Sequence, residues 1–206
     1  MLNTETKNTD LWSKATLLEG RQLRLVPLEL KHLDDLEKNL LSKEAWHSVH
    51  WGLRTRADLE KVLVRSQAAR EENQENGFAM IIKSSGEVVG MSHLKSFNRR
   101  HNFLEIGGTW IGERWQKAYV NTEAKVLMLS YVFESIGCQR VEFRVDALNF
   151  NSQRAVLRLG AKYEGELRNS TVLPDGRKRD YKVYSIIDSE WPNIKATLNW
   201  YLDKYV

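Results

Sequence analysis

Two stretches of this 206-residue chain carry residue types and spacings that could do chemistry. The first runs EIGGTWIGERWQKAYVNTEAKVLMLSYVFESIG, from Glu105 to Gly137. Gly107 and Gly108 lie inside a strand-like run, which predicts a bulge or a close approach by another backbone or a ligand. The run then passes through a loop into the start of an amphipathic helix. A helix start presents unpaired N–H groups and the positive end of the dipole, so it suits an anion. Arg114, Lys117 and Lys125 flank that turn with positive charge. The second stretch, NFNS at 149–152, opens another helix directly after the next strand. These features suit a phosphate-bearing ligand, and on local features alone a plain β-α-β-α unit whose loop binds nothing is equally open. Neither G-x-G-x-x-G nor G-K-[ST] occurs, so nucleotide folds of those two kinds are unsupported. His47 and His50 form H-x-x-H without a carboxylate at ligand spacing, and no metal is expected. Cys138, the single cysteine, excludes an internal disulfide and reads as a small buried residue at a helix end.

The elements that position these residues follow from periodicity. Residues 22–28 alternate as a strand, and Leu30, Leu33, Leu40 and Leu41 recur at helical spacing over 29–42. The segment 44–53 breaks the pattern as a loop with two tryptophans and two histidines. Thr55 and Asp58 form a capping box for a helix that turns Leu59, Val62 and Leu63 inward and stops at Gly77. Strands follow at 78–83 and 88–97, joined by a short turn, and then at 103–112. The next helix is expected to begin at Asn121 as N-cap, to bury Ala124, Leu127, Met128, Tyr131 and Val132, and to end at Gly137. A strand at 140–146 and a helix from about Asn149 to Leu159 follow, stopped by Gly160. A hairpin then turns at PDGRK. A last helix starts near Ser189 or Pro192 and buries Trp191, Ile194, Leu198 and Tyr201. Three consecutive strands must pair as a meander, so the expected class is α/β with a mixed sheet in one domain over 1–206. Residues 1–19 read as a loosely attached arm and 189–206 as the C-terminal helix.

Composition bounds the setting. Lys and Arg number 31 against 27 Asp and Glu, a net charge of +4. That permits an anionic partner without requiring nucleic acid. Hydrophobic residues make up 42%, no apolar run is long enough for a membrane span, and the N-terminus is polar. A cytoplasmic setting is expected, with no membrane partner.

The stretch from Glu105 to about Ile187, with its strand-loop-helix pattern, the N-x-x-S at 149–152 and the Leu-Gly-Ala at 159–161, resembles the GNAT superfamily of Gcn5-related N-acetyltransferases. It is most similar to the branch that includes the ribosomal-protein N-terminal acetyltransferases. The resemblance runs from about Gly20 to about Trp191. It implies a mostly antiparallel sheet of about six to seven strands, splayed between the fourth and fifth, flanked by about four helices and a C-terminal helix. It also implies acetyl-CoA as co-substrate, with no metal. The family's pyrophosphate loop, [RQ]-x-x-G-x-[GA], falls on Gln116, Lys117, Ala118, Tyr119, Val120 and Asn121, with Tyr119 and Asn121 where glycines are usual. The loop is expected to reach its shape with ordinary φ values, the alternative being that cofactor binding is weakened or lost.

By the same resemblance, the pantetheine arm pairs with the backbone of Trp110 and Ile111. The N–H groups from Lys117 through Thr122 hold the pyrophosphate, and Arg114 or Lys125 meets the 3′-phosphate at the surface. Asn149 bonds the pantetheine, caps its helix, or both. Glu105 is the base, directly or through water, or else a surface strand residue. Ser152 supports the departing thiolate, or else caps its helix. Trp46, His50, Trp51 and Arg54 belong to the acceptor pocket, or else pack under a loop. Tyr163, with Arg168 and Arg179, forms the opposite wall. The implied activity is acetyl transfer to a primary amine, a protein N-terminus or a small amine, by direct attack in a ternary complex. The alternatives are a silent sensor of CoA esters and a nucleic-acid-binding module. A homodimer is compatible with the branch.

Overall fold

The structure is a computed structural model that describes residues 11–14, 16–40, 55–173 and 175–205. Its strands are β1 (Leu18–Glu19), β2 (Leu23–Pro27), β3 (Asn76–Ile82), β4 (Val88–Asn98), β5 (Phe103–Ile111), β6 (Arg140–Asp146), β7 (Lys162–Val172) and β8 (Lys178–Ile187). They form one sheet in the order β1-β2-β3-β4-β5-β6-β8-β7. Neighbours pair antiparallel except β5 and β6, which are parallel. A parallel pair needs a crossover, and the helix between these two strands supplies it. The sheet is thus mixed and mostly antiparallel, with one strand more than expected because the two-residue β1 adds an edge.

Helices cover both faces. On one lie α1 (Leu33–Leu40) and α2 (Arg56–Glu71), which bury Leu36, Leu59 and Leu63 against Ala79 and Met91. On the other lie α3 (Tyr119–Ser130) and α5 (Trp191–Leu202), which bury Ala124, Met128, Trp191 and Leu198 against Phe78, Leu104 and Val141. Val156 and Leu159, from α4 (Phe150–Arg158) and its C-cap, join this second core. The Thr55–Asp58 capping box forms as expected.

Several boundaries differ from the sequence reading. Helix α2 ends at Glu71, and Asn73, at φ 57°, makes the left-handed turn expected of Gly77, which lies in β3. Leu30 is exposed in a short 3₁₀ turn before α1. In α5, Leu202 is buried and Tyr201 exposed. Residues 11–13 are docked rather than loose: Trp12 is buried with its ring edge-on to Phe97, and Tyr131 Oη donates to the Leu11 carbonyl. Burying a side chain of that size contributes roughly 2–3 kcal/mol, enough to hold a short segment.

Helix α3 is fixed at both ends. The buried carboxylate of Glu123 accepts from the N–H of Gln22 (2.9 Å) and of Leu23 (3.3 Å), tying the first turns of α3 to β2. At the far end the helix widens into a π turn over Tyr131–Ile136 and stops at Gly137, φ 79°. Positive φ favours glycine there.

Candidate active site

Strands β5 and β6 pair only at Phe103–Arg140, Leu104–Val141 and Glu105–Glu142. Beyond Glu105 they part, as the resemblance implied. The opening is a cleft of about 660 Å³ walled by Ile106–Ile111 of β5, Phe143–Asp146 of β6, the N-terminal half of α3 and one face of α4. The β6-facing edge of β5 therefore lacks a strand partner over its second half and can accept an extended ligand.

Gly107 and Gly108 sit at a bulge, as their position in the strand predicted. Met91 pairs with Trp110 and His93 with Gly107, so β5 holds one residue more than β4 across that interval. Gly108 has φ 56°. Beneath it the buried His93 places Nδ1 3.3 Å from the Gly108 carbonyl and Nε2 3.6 Å from Glu75. Burial pulls the His93 imidazolium below the usual histidine range, and the Glu75 carboxylate offsets this only partly.

The loop into α3 corrects the sequence reading. The helix starts at Tyr119, not Asn121, and its N-cap is Ala118, whose side chain has no acceptor. Tyr119 and Asn121 are therefore helical with negative φ, and the left-handed residue is Lys117, φ 58°. The glycine-like turn comes two residues earlier than Tyr119, which is why neither Tyr119 nor Asn121 needs to be glycine. Gln116 Nε2 donates to the Ile111 carbonyl (3.0 Å) and braces the loop against the end of β5. Val120 and Thr122 turn their side chains into the protein and leave only backbone toward the loop. Tyr119 is half-buried against the core, its ring 6.2 Å from that of Tyr205. The first-turn N–H groups of α3 thus open beside the cleft without a side-chain cap.

Lys125 is the second correction. It is 4% exposed and reaches back to the sheet, where Nζ meets Ser92 Oγ at 2.8 Å and Thr109 Oγ1 at 2.6 Å. Burial pulls its ammonium from 10.5 down to about 7. Arg114 remains exposed, its guanidinium over the ring of Trp115.

On α4, Asn149 is the N-cap: its Oδ1 accepts from Ser152 N–H at 3.0 Å. Capping belongs to Asn149, and Ser152 is half-buried on the cleft wall. Glu105 is 5% exposed, so it is not a surface strand residue. Its carboxylate meets Lys95 Nζ (3.2 Å) and Ser96 Oγ (3.2 Å), with Arg144 at 4.0 Å. It does not itself line the cleft, but Oε1 lies 2.7 Å from where a Cβ on Gly107 would stand, and Gly107 does line it. Tyr163, 52% exposed on β7, is not brought to the cleft, and Arg179 is buried against Asp146 instead of forming a wall. Trp46, His50, Trp51 and Arg54, and the H-x-x-H pair, lie outside the described residues.

Sequence reasoning missed four contributors. Arg154 and Arg158 line the cleft from α4; their i, i+4 spacing was the available signal. Thr109 lines it beside Lys125. Asp146 sits at the far end of β6. Burial pushes its carboxyl up, but Arg177, the Leu148 N–H and Arg179 outweigh this and hold it below the usual carboxylate range. Lys117, Arg144, Arg154 and Arg158 against Asp146 give the cleft a positive lining suited to phosphates. No helix among the described residues is long and apolar enough to cross a membrane.

Residues 22–162 match the family model for the acetyltransferase (GNAT) domain. The chain belongs to the GNAT acetyltransferases. A GCN5-related N-acetyltransferase from Brucella melitensis superposes on this GNAT chain with a TM-score of 0.84 at 32% identity, covering 92% of this chain and 86% of that one. YdaF of Bacillus subtilis, whose name assigns it provisionally as a ribosomal N-acetyltransferase, is 27% identical over 120 residues, 58% of this chain and 64% of its own. The aligned stretch thus spans under two thirds of that relative. Mycobacterium smegmatis RimJ, solved in complex with CoA-disulfide, shares the fold at a TM-score of 0.75 and 17% identity, covering 90% of this chain and 94% of that one. GNAT enzymes use acetyl-CoA, and the residues around the cleft fit such a ligand: a free strand edge, a helix start without a side-chain cap and a positive lining.

Proposed function

We propose that this chain, as a single domain, transfers the acetyl group of acetyl-CoA to a primary amine by direct attack in a ternary complex. The observation that carries the reading is the meeting of the unpaired β5 edge with the side-chain-free N-cap of α3. An extended arm ending in a pyrophosphate fits that junction. The backbone of Trp110 and Ile111 pairs with the pantetheine, and N–H groups from Lys117 to Thr122 meet the pyrophosphate. Asn149, the α4 N-cap on the cleft wall, bonds the pantetheine.

An alkyl ammonium has a pKa of about 10.4, so the acceptor must lose a proton before it attacks. Glu105 takes that proton through water across Gly107, since its carboxylate touches the glycine without lining the cleft. Lys95 and Ser96 hold it in place. Ser152, facing the cleft from α4, supports the departing thiolate. The acceptor is a protein N-terminus or a small amine, and YdaF's name favours the former. Trp46, His50, Trp51 and Arg54 belong to its pocket, while Tyr163 would meet only an acceptor extending beyond the cleft.

Thermal unfolding with and without acetyl-CoA tests the reading. A ligand at a hundred times its dissociation constant adds about 2.7 kcal/mol. Mass spectrometry of products from an amine and peptide library then identifies the acceptor. No thermal shift and no free CoA from any amine would refute the proposal.

A further inference from the structure

Three side chains at the cleft and just behind its wall have no part in the direct transfer. Lys125 from α3, Ser92 from β4 and Thr109 from β5 form a closed triangle: Lys125 Nζ to Thr109 Oγ1 2.6 Å, Lys125 Nζ to Ser92 Oγ 2.8 Å, and Ser92 Oγ to Thr109 Oγ1 2.8 Å. The β5 bulge creates it. Leu104 and Ile106 face α3, so strict alternation would send residues 108 and 110 to that side. The extra residue at Gly107–Gly108 reverses the parity. Thr109 and Ile111 then face α3, while Trp110 packs with the α1–α2 core. Ser92 is fully buried, Lys125 nearly so, and Thr109 is partly open on the cleft wall.

A buried lysine between two hydroxyls is arranged as a base for a hydroxyl nucleophile. Burial brings its ammonium to about 7, so close to half of it is the free amine at neutral pH. Ionic partners elsewhere on the sheet go to other side chains: Glu105 to Lys95 and Asp146 to Arg177 and Arg179. As an ammonium Lys125 donates to both hydroxyls; as the free amine it keeps the donation to Ser92, and the 2.6 Å contact reverses so that its lone pair accepts the Thr109 proton.

Building on the acetyl-CoA reading, we propose that Thr109, Ser92 and Lys125 form an acyl-accepting unit that hydrolyses acyl-CoA thioesters when no amine is bound. Thr109 Oγ1 bonds to the thioester carbonyl carbon as Lys125 Nζ takes the hydroxyl proton. The C–S bond breaks, and CoA leaves as a thiolate that takes a proton back from Lys125. Water then attacks the Thr109 ester as Lys125 takes its proton; the acyl C–O bond breaks, Lys125 returns that proton to Thr109 Oγ1, and the acid leaves as a carboxylate and a proton. The sum is acyl-CoA plus water giving carboxylate, CoA thiol and a proton. Thr109 is the nucleophile, Lys125 the base, and Ser92 a positioning residue that holds both.

The test incubates the full chain with acetyl-CoA and no amine, following thiol release, intact mass and thermal shift. Thiol should appear well above the buffer rate, with one acetyl group transiently on Thr109 as a hydroxylamine-labile ester. Thr109→Val and Lys125→Met should each cut the release at least tenfold while keeping the acetyl-CoA thermal shift, and Thr109→Ser should retain it. A thermal shift with release at the buffer rate, release unchanged in Thr109→Val, or a stable amide on Lys125 would each overturn this unit and leave the amine acetyltransferase reading standing. No thermal shift at all would overturn both.

Discussion

Lys125→Met offers a quantitative test of how the α3–sheet interface is built. The displacement of the ammonium from 10.5 to about 7 spans roughly 3.5 pH units. At about 1.4 kcal/mol per unit, the fully charged lysine costs the fold about 5 kcal/mol. At pH 7 the native side chain is about half neutral, which leaves nearly all of that cost. Methionine removes the charge and keeps the length. It also removes two hydrogen bonds worth about 1 kcal/mol each, while Ser92 and Thr109 keep their mutual bond. The net expectation is a variant about 2–3 kcal/mol more stable at pH 7. Between pH 7 and about 10 the unfolded lysine stays protonated while the folded one does not, so the unfolded state holds more protons and wild-type stability rises with pH. By pH 10 the unfolded lysine is also losing its proton, and the advantage of methionine should be gone. Guanidinium unfolding of both proteins across this range reads the difference directly. A variant less stable at pH 7, or a gap that does not close as pH rises, would refute the reasoning.

Gly20→Ala should lose about 1–3 kcal/mol in denaturant unfolding, because a Cβ there would drive into the Glu123 carboxylate that ties α3 to β2. Tyr119→Gly should lower stability by about 1 kcal/mol through helix propensity and the Tyr205 contact, with no tightening of acetyl-CoA binding by calorimetry, because the left-handed residue is Lys117. Glu105→Gln should lower kcat for amine acetylation by about a hundredfold or more with little change in the acetyl-CoA thermal shift, since Lys95 and Ser96 can still bond the amide. Unchanged kcat would remove Glu105 from the proton path.

The elements were legible where periodicity and capping agree. Thr55 with Asp58, the alternation of Val141, Phe143 and Val145, and the stops at Gly137 and Gly160 all stand as read. The start of α3 was not, because Asn121 is a good N-cap by type whereas Ala118 takes the position through backbone geometry alone. Lys117 likewise hides a left-handed turn that sequence assigns to glycine. Glu105 looked outward by alternation, yet packing from β4 covers it. Lys125 reads as a surface charge because buried lysines are rare; its hydroxyl partners lie 33 and 16 residues away on two strands, and nothing local announces them.

The bulge at Gly107–Gly108 behaves like a shift of reading frame written in three dimensions. Upstream of it the even-numbered residues Leu104 and Ile106 face α3; downstream the odd-numbered Thr109 and Ile111 do. Were β5 to pair with β4 without the bulge at its present length, Thr109 and Trp110 would exchange sides, placing an indole where a hydroxyl now stands; loss of one glycine codon would instead straighten the strand and leave both on the sides they now hold. What the cleft presents to a thioester is therefore set by how this strand pairs with β4 as much as by which residues it holds.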